Sequence, residues 1–198
     1  MGVLALLGLA SSISLLSGWR LYLCVFATGL AMRFGWIVAP AHLTGLDALA
    51  SPWVLAIAGV GMVAEFFADK VAWLDSVWDA IHTLVRPVGG ALLALAIIDP
   101  HDMRWQVASL LLGGSAALLS HGAKASTRAV VNVSPEPFSN VIVSTGEDVV
   151  ATGLLAAAIA SPVAAVAIAI LLATGAVAML VLLRRLYRRM RRRPAHVQ

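Results

Sequence analysis

The sequence predicts an all-α, polytopic integral membrane protein of about six transmembrane helices. Three observations predict it. First, 61% of the 198 residues are hydrophobic and the mean hydropathy is +0.92, against about 45–50% apolar residues in a soluble domain. Second, the apolar residues gather in runs at 52–64, 88–98, 105–119, 149–160 and 162–183. With their flanks, several reach the ~20 helical residues that cross a hydrocarbon core. Third, the short alternating segments of a transmembrane β-barrel are not found, so backbone groups inside lipid must be satisfied within helices.

Segment 2–34 reads as one long first helix, broken or kinked near Gly18 in Ser17-Gly18-Trp19-Arg20. It has no basic leading region and stays apolar through Leu30, so it reads as a retained segment and not a cleaved signal. Arg20 is expensive there unless paired or near an interface, and snorkelling to the headgroups is its plainest explanation. Residues 35–51, with Pro40, Gly45 and Asp47, read as a non-cytoplasmic loop. Further spans follow at roughly 52–69, 84–99, 105–123, 140–160 and 162–183. Asp99-Pro100-His101-Asp102 and Ser161-Pro162 make tight connections. A single transmembrane domain, 1–183, thus precedes a basic tail, 184–198.

That tail carries Arg184, Arg185, Arg188, Arg189, Arg191, Arg192 and Arg193 directly after an apolar span. Under the positive-inside rule it is cytoplasmic, and it is suited to anionic headgroups. Counting back, connections 70–83 and 124–139 face the cytoplasm and both termini fall inside. No folded polar module accompanies the tail, so the net charge of +4 is not read as a nucleic-acid signal. The lone Cys24 lies in an apolar stretch and reads as packing or lipid contact.

The middle of the chain has the pattern of an internal repeat, with units at roughly 52–99 and 105–160. Each runs Trp, apolar helix, Lys, polar connection, helix. Asp79 aligns with Asn140, Thr83 with Ser144, and Arg86 with Glu147. Two-span copies should run parallel about an axis along the membrane normal, with sites between them.

Two polar clusters fall at the repeat connections. The first is Glu65, Asp69, Lys70, Asp75, Asp79, His82 and Arg86. Spacing of four puts Glu65 and Asp69 on one helix face. Asp75, Asp79, His82 and Arg86 form a stripe opposite Val77, Ile81, Leu84 and Val88, and Asp75 is also a candidate cap. A solvated loop explains Lys70 and Asp75, but not Glu65 at membrane depth. The second cluster is His121, Lys124, Arg128, Asn132, Glu136, Ser139, Asn140, Ser144, Glu147 and Asp148. Pro135 and Pro137 keep their predecessors out of helical geometry, which leaves Ser139 or Asn140 to cap the fifth helix. The plain alternative is a Pro-stiffened loop with a capped helix.

A metal is not specified by any compact motif. If a divalent or monovalent cation is bound, Glu65, Asp69, Asp79, Glu147 and Asp148 are the candidate ligands, with oxygen-rich surroundings suited to Mg, Ca or Mn. No nucleophile elbow, P-loop or dinucleotide fingerprint is present.

The strings Glu65-Phe-Phe-Ala-Asp69-Lys70, Asp75-Ser-Val-Trp-Asp79-Ala-Ile-His82-Thr, Arg86-Pro87, His121-x-x-Lys124-Ala-x-x-Arg128, Asn132-x-Ser-Pro-Glu-Pro-Phe-Ser-Asn140 and Glu147-Asp148 resemble a bacterial membrane family. It is carried as domain of unknown function 4126 (DUF4126), and the resemblance spans roughly 5–160. It implies a multi-pass protein of the bacterial inner membrane and no established activity. A more distant likeness is to repeat-built cation exchangers with a Glu-x-Gly-Asp-Lys-Thr signature. Here Glu65-Phe-Phe-Ala-Asp69-Lys70-Val71 has one extra residue, Ala for Gly and Val for Thr. The second copy, His121-Gly-Ala-Lys124, has no acid.

Three functions are compatible with these residues. The first is a transporter or channel for a small ion or polar solute, in which the carboxylates bind a cation or relay protons. The second is a membrane enzyme or carrier acting on a phosphorylated lipid through Lys70, Arg86, Lys124 and Arg128. The third is a non-catalytic scaffold whose charges pair across the repeats, Asp79 with Arg128 or Glu147 with Arg86. The partners expected are the bilayer, a small solute and no nucleic acid. Small-residue faces at Gly59-Val-Gly61 and Gly113-Gly114 also allow a homodimer.

Overall fold

A computed structural model describes residues 3–36, 48–98, 103–132 and 137–191. Among them are seven helices and no strand: α1 Val3–Ser17, α2 Leu21–Arg33, α3 Pro52–Ala68, α4 Ala72–Ile97, α5 Met103–Val131, α6 Pro137–Ala160 and α7 Pro162–Arg191. Three are long and apolar enough to cross a membrane, over Ala72–Ile97, Phe138–Ala160 and Pro162–Arg189. The expected loop residues 37–47 and the Asp99–Asp102 connection lie outside the described residues.

The expected break at Gly18 is present, between α1 ending at Ser17 and α2 beginning at Leu21, but the chain reverses there and forms a hairpin where one kinked crossing was expected. Ser14 Oγ donates to the Gly90 carbonyl at 3.0 Å, and Arg86 Nη1 donates to the Gly18 carbonyl at 3.2 Å. Moving forward along α1 therefore moves backward along α4. After the turn, Tyr22 stands beside Gly61, Phe26 beside Gly59, and Gly29 beside Leu55. So α2 runs antiparallel to α3. Because α3 approaches the 69–71 connection and α4 leaves it, α1 comes toward that connection and α2 turns back. At 1.5 Å per residue, α1 and α2, of 15 and 13 residues, are each only about 20–23 Å long.

The turn is held by Gly18 N and Trp19 N, which donate to the Leu15 and Leu16 carbonyls, and by Arg20 N, which also donates to Leu16. A Cβ on Gly18 would collide with Ser120 Oγ and the Ala117 carbonyl, so the tip needs glycine. Its level on α4 is Arg86, about 16 Å of helix short of Ile97. Non-helical backbone at such depth is tolerated where protein surrounds it, and Ser17, Trp19 and Arg20 are buried or nearly so.

The remaining helices alternate in direction. Gly90 of α4 faces Gly113 and Ala117 of α5 so closely that a Cβ on Gly113 would stand 2.5 Å from the Gly90 carbonyl oxygen. In lipid, helices associate through this kind of close packing and not through solvent exclusion. The α6–α7 turn lies at the end of the bundle where α2 finishes, since Ala160 and Ala31 line one cavity. Helix α7 then runs beside α1, with Val166 against Gly8, toward the other end. The first and last described helices thus begin and finish at opposite ends of the bundle. The count that placed both termini on one side took 2–34 as one pass along the bundle, where α1 and α2 make two. The core gathers around α1, where Ile13 and Leu16 meet Leu93, Leu155, Ala165 and Ile168.

Two expected connections are largely helix. Residues 72–83 are the first turns of α4, and 124–131 are the last turns of α5. Charge there was read as an exit from lipid, but it faces the neighbouring helix. On α4 the polar stripe Asp75, Asp79, His82 and Arg86 is buried, while Val77, Ile81, Leu84 and Val88 are exposed. This inverted amphipathicity suits a helix that meets lipid outside and charge inside.

Candidate functional site: a buried ion-pair network at the hairpin tip

Arg20 leads into α2 from the turn and points into the bundle. It is 2% exposed, so it does not snorkel. Its guanidinium pairs with Asp69, reaches Asp148 Oδ1 at 2.9 Å and Glu147 Oε2 at 3.6 Å, and donates to the Ser144 carbonyl at 3.2 Å. The site residues inferred from sequence did not include it. Its signal was an arginine beside a glycine within an apolar run.

Asp69 is the hub on the connection between α3 and α4. Besides Arg20 it accepts from Lys124 Nζ at 2.9 Å. Its carbonyl accepts from Arg128 and from Asn140 Nδ2. Asn140 therefore does not cap α6. The helix starts at Pro137, whose missing N–H is no loss in a first turn. Asp75 is likewise not a cap, because its Oδ2 accepts from Arg128 Nε at 3.1 Å and Asn132 Nδ2 at 2.6 Å.

Arg86 organises the second half of the network. It donates to Glu65 Oε1 at 2.7 Å and Asp79 Oδ1 at 3.1 Å. Its Nη1 lies 2.6 Å from His121 Nδ1. A guanidinium only donates, so Nδ1 accepts and the proton of a neutral His121 is on Nε2. That nitrogen is within reach of Thr83 Oγ1 and the Asp79 carbonyl. His82 is fixed differently: Nδ1 bonds the Trp78 carbonyl at 2.8 Å, leaving Nε2 to accept from the Tyr22 hydroxyl at 3.1 Å. Its ring stacks on Trp78 with centroids 4.3 Å apart. The C-terminal carbonyls of α1 point at cations as well, Gly18 at Arg86 and Trp19 at Lys124, as a helix C-terminus favours.

Lys70 closes the network toward the connection end. Its Nζ lies 3.2 Å from Asp148 Oδ2, 3.4 Å from Ser144 Oγ and 3.5 Å from the Phe66 ring centroid.

A family model described as a domain of unknown function (DUF4126) matches residues 7–182. The chain belongs to the DUF4126 family. Comparison with curated proteins and with solved structures gives no match. The strings that carry the DUF4126 resemblance are scattered over 65–148 in sequence, yet those of their charged members that are described, Glu136 lying outside the described residues, converge on this one network.

Of the residues inferred from sequence, Glu65, Asp69, Lys70, Asp75, Asp79, Arg86, His121, Lys124, Arg128, Asn132, Asn140, Ser144, Glu147 and Asp148 meet in the DUF4126 network. His82 stands at its edge among aromatic rings, Ser139 is half-buried in the first turn of α6, and Glu136 lies outside the described residues. The pairing differs from the sequence expectation. Arg128 takes Asp75, not Asp79; Arg86 takes Glu65 and Asp79, not Glu147. Among the described residues no three His, Cys, Asp or Glu side chains gather as a metal shell. Glu65, Asp69, Asp79, Glu147 and Asp148 are instead interleaved with guanidinium and ammonium groups.

Proposed function

We propose that this DUF4126 chain is a membrane transporter or channel for a small ion or polar solute, with the network around Arg20 as its working part. The observation that carries the reading is a charge imbalance. Among the described residues, Glu65, Asp69, Asp75, Asp79, Glu147 and Asp148 are paired with Arg20, Lys70, Arg86, Lys124 and Arg128, six acids with five bases. With both histidines neutral, one negative charge is left over. Inside a bilayer such a charge calls for a proton or a mobile cation. Glu147 is the loosest carboxylate, since its Oε2 has no hydrogen-bond partner and its nearest cation is 3.6 Å away. Glu147 accepts the exchangeable cation or proton, and the paired residues hold its surroundings in place.

In this reading α3–α4 and α5–α6 are the two repeat units, running in the same sense about an axis along the membrane normal. The hairpin α1–α2 enters and leaves on the external side. The Arg-rich end of α7 and Lys70 face the cytoplasm of the bacterial inner membrane.

Proteoliposomes with a clamped potassium potential and an internal pH dye test the proposal. Wild type conducts protons, alone or when one member of a panel of cations and polar solutes is supplied. Glu147→Gln loses that flux. If vesicles holding wild type stay as tight as empty ones to the whole panel, the transport reading falls.

A second reading, a non-catalytic scaffold, is supported by the pairing itself, because each Lys and Arg of the network has a carboxylate partner. The same pairing speaks against a phosphorylated-lipid site, since the cations that would bind phosphate already face carboxylates.

A further inference from the structure

We propose that the arginine-bearing end of α7 binds the phosphate of an anionic phospholipid in guanidinium forks. This goes beyond the transport reading and does not depend on it. Residues 149–183 carry no charged side chain, and Arg184, Arg185, Arg188 and Arg189 then follow in the same helix, which continues to Arg191. From Pro162 to Leu183 α7 rises about 33 Å, against a hydrocarbon core about 30 Å thick. Set across that core, the helix brings its first arginines out at the headgroups. From Arg184 to Arg189 it rises about 7.5 Å more, close to the depth of one headgroup layer, about 5–7 Å.

The four side chains are arranged as a surface. At 3.6 residues per turn they share a sector of about 140°, and Leu183, Leu186 and Tyr187 hold the opposite side. Arg184 stands one turn before Arg188, and Arg185 one turn before Arg189. Each pair is about 6 Å apart along the axis, so its two guanidinium groups can close on one phosphate from above and below.

Their counter-charge comes from elsewhere. All four are exposed, and among the described residues no carboxylate pairs with any of them. Arg20, Arg86 and Arg128 are the contrast, each facing an acid inside the bundle. No Asp or Glu follows Asp148 in the sequence. A guanidinium offers a planar fork of donors that holds two phosphate oxygens at once. The phosphodiester is the anion that lies at this depth of a bilayer. An RNA or an acidic protein would have to reach the first arginines through the headgroups, whereas a lipid phosphate is beside them once the helix crosses.

Native mass spectrometry of the full chain in detergent tests this, with phosphatidylglycerol and phosphatidylcholine of the same acyl chains supplied in equal amounts. Wild type should retain phosphatidylglycerol about tenfold over phosphatidylcholine, a difference of about 1.4 kcal/mol. Arg184→Gln, Arg185→Gln, Arg188→Gln and Arg189→Gln made together should abolish that preference. The melting temperature should stay in place, since all four lie outside the ion-pair network. Arg→Lys at the same four positions keeps the charge that directs insertion but removes the forks, and should lose most of the preference. Hydrogen exchange in nanodiscs locates the lipid: phosphatidylglycerol should slow the amides of 184–191 and not those of 69–72. Equal retention of the two lipids by wild type would overturn the proposal. So would a preference kept in full by either variant, or slowing at 69–72 alone. An RNA oligonucleotide that binds the wild type and is not displaced by phosphatidylglycerol would make this a nucleic-acid surface and overturn it too.

Discussion

Lys124 Nζ lies 2.9 Å from Asp69 Oδ2, and this contact ties the last turns of α5 to the connection between α3 and α4. Both groups are at least nine-tenths buried, and Arg20 shares the same carboxylate oxygen. Removing one partner of a buried pair leaves an uncompensated charge, which typically destabilises by about 3–5 kcal/mol. Asp69→Asn is therefore expected to lower the melting temperature in detergent sharply. Lys124→Met added to it should restore part of the loss. Simple additivity of the two changes, measured by thermal unfolding, would mean that the pair is not coupled.

Gly18→Ala probes the hairpin tip. The added methyl has no space between Ser120 and the Ala117 carbonyl, and overpacking of this kind costs about 1–3 kcal/mol. The expected result is a lower melting temperature and easier proteolysis near Trp19. A variant as stable as wild type would place the tip elsewhere.

The hairpin also sets which residues share a side of the membrane. In a Cys24→Ala background, Leu4→Cys and Phe34→Cys should both react with an impermeant maleimide added outside cells. Val71→Cys should react only after the membrane is opened. A straight first helix predicts opposite labelling for Leu4→Cys and Phe34→Cys, so one experiment separates the two.

Glu147→Gln separates function from stability. The change removes the unmatched negative charge while keeping a side chain of similar shape. Folding is expected to be unchanged or stabilised by about 1 kcal/mol, the behaviour of a residue kept for activity at the expense of stability. A large destabilisation, read from the melting temperature, would make Glu147 a structural partner of Arg20.

The stripe Asp75, Asp79, His82 and Arg86 was legible in the sequence because its spacing follows the helical period. Its inward direction was not, because charge at a connection reads equally as an exit from lipid, and only the packing of the neighbouring helices shows the stripe buried. Nor were the pairings. Which cation meets Asp79 depends on helix rotation and register, and Arg86 on the same helix reaches it before Arg128 does. Arg20 read as an isolated charge because Asp69 and Asp148 lie far along the chain. The break at Gly18 was legible in Ser17-Gly18-Trp19-Arg20, but the reversal was not, since apolar residues flank the turn whether the helix continues or folds back.

The hairpin has a consequence for the order in which the protein is made. Arg20 leaves the ribosome well before Asp69, and longer still before Glu147 and Asp148. Until they arrive, the carboxylates that Arg20 pairs with in the folded chain are absent from the nascent segment. The ion pairs that hold the hairpin tip in place can therefore close only after α6 has been synthesised.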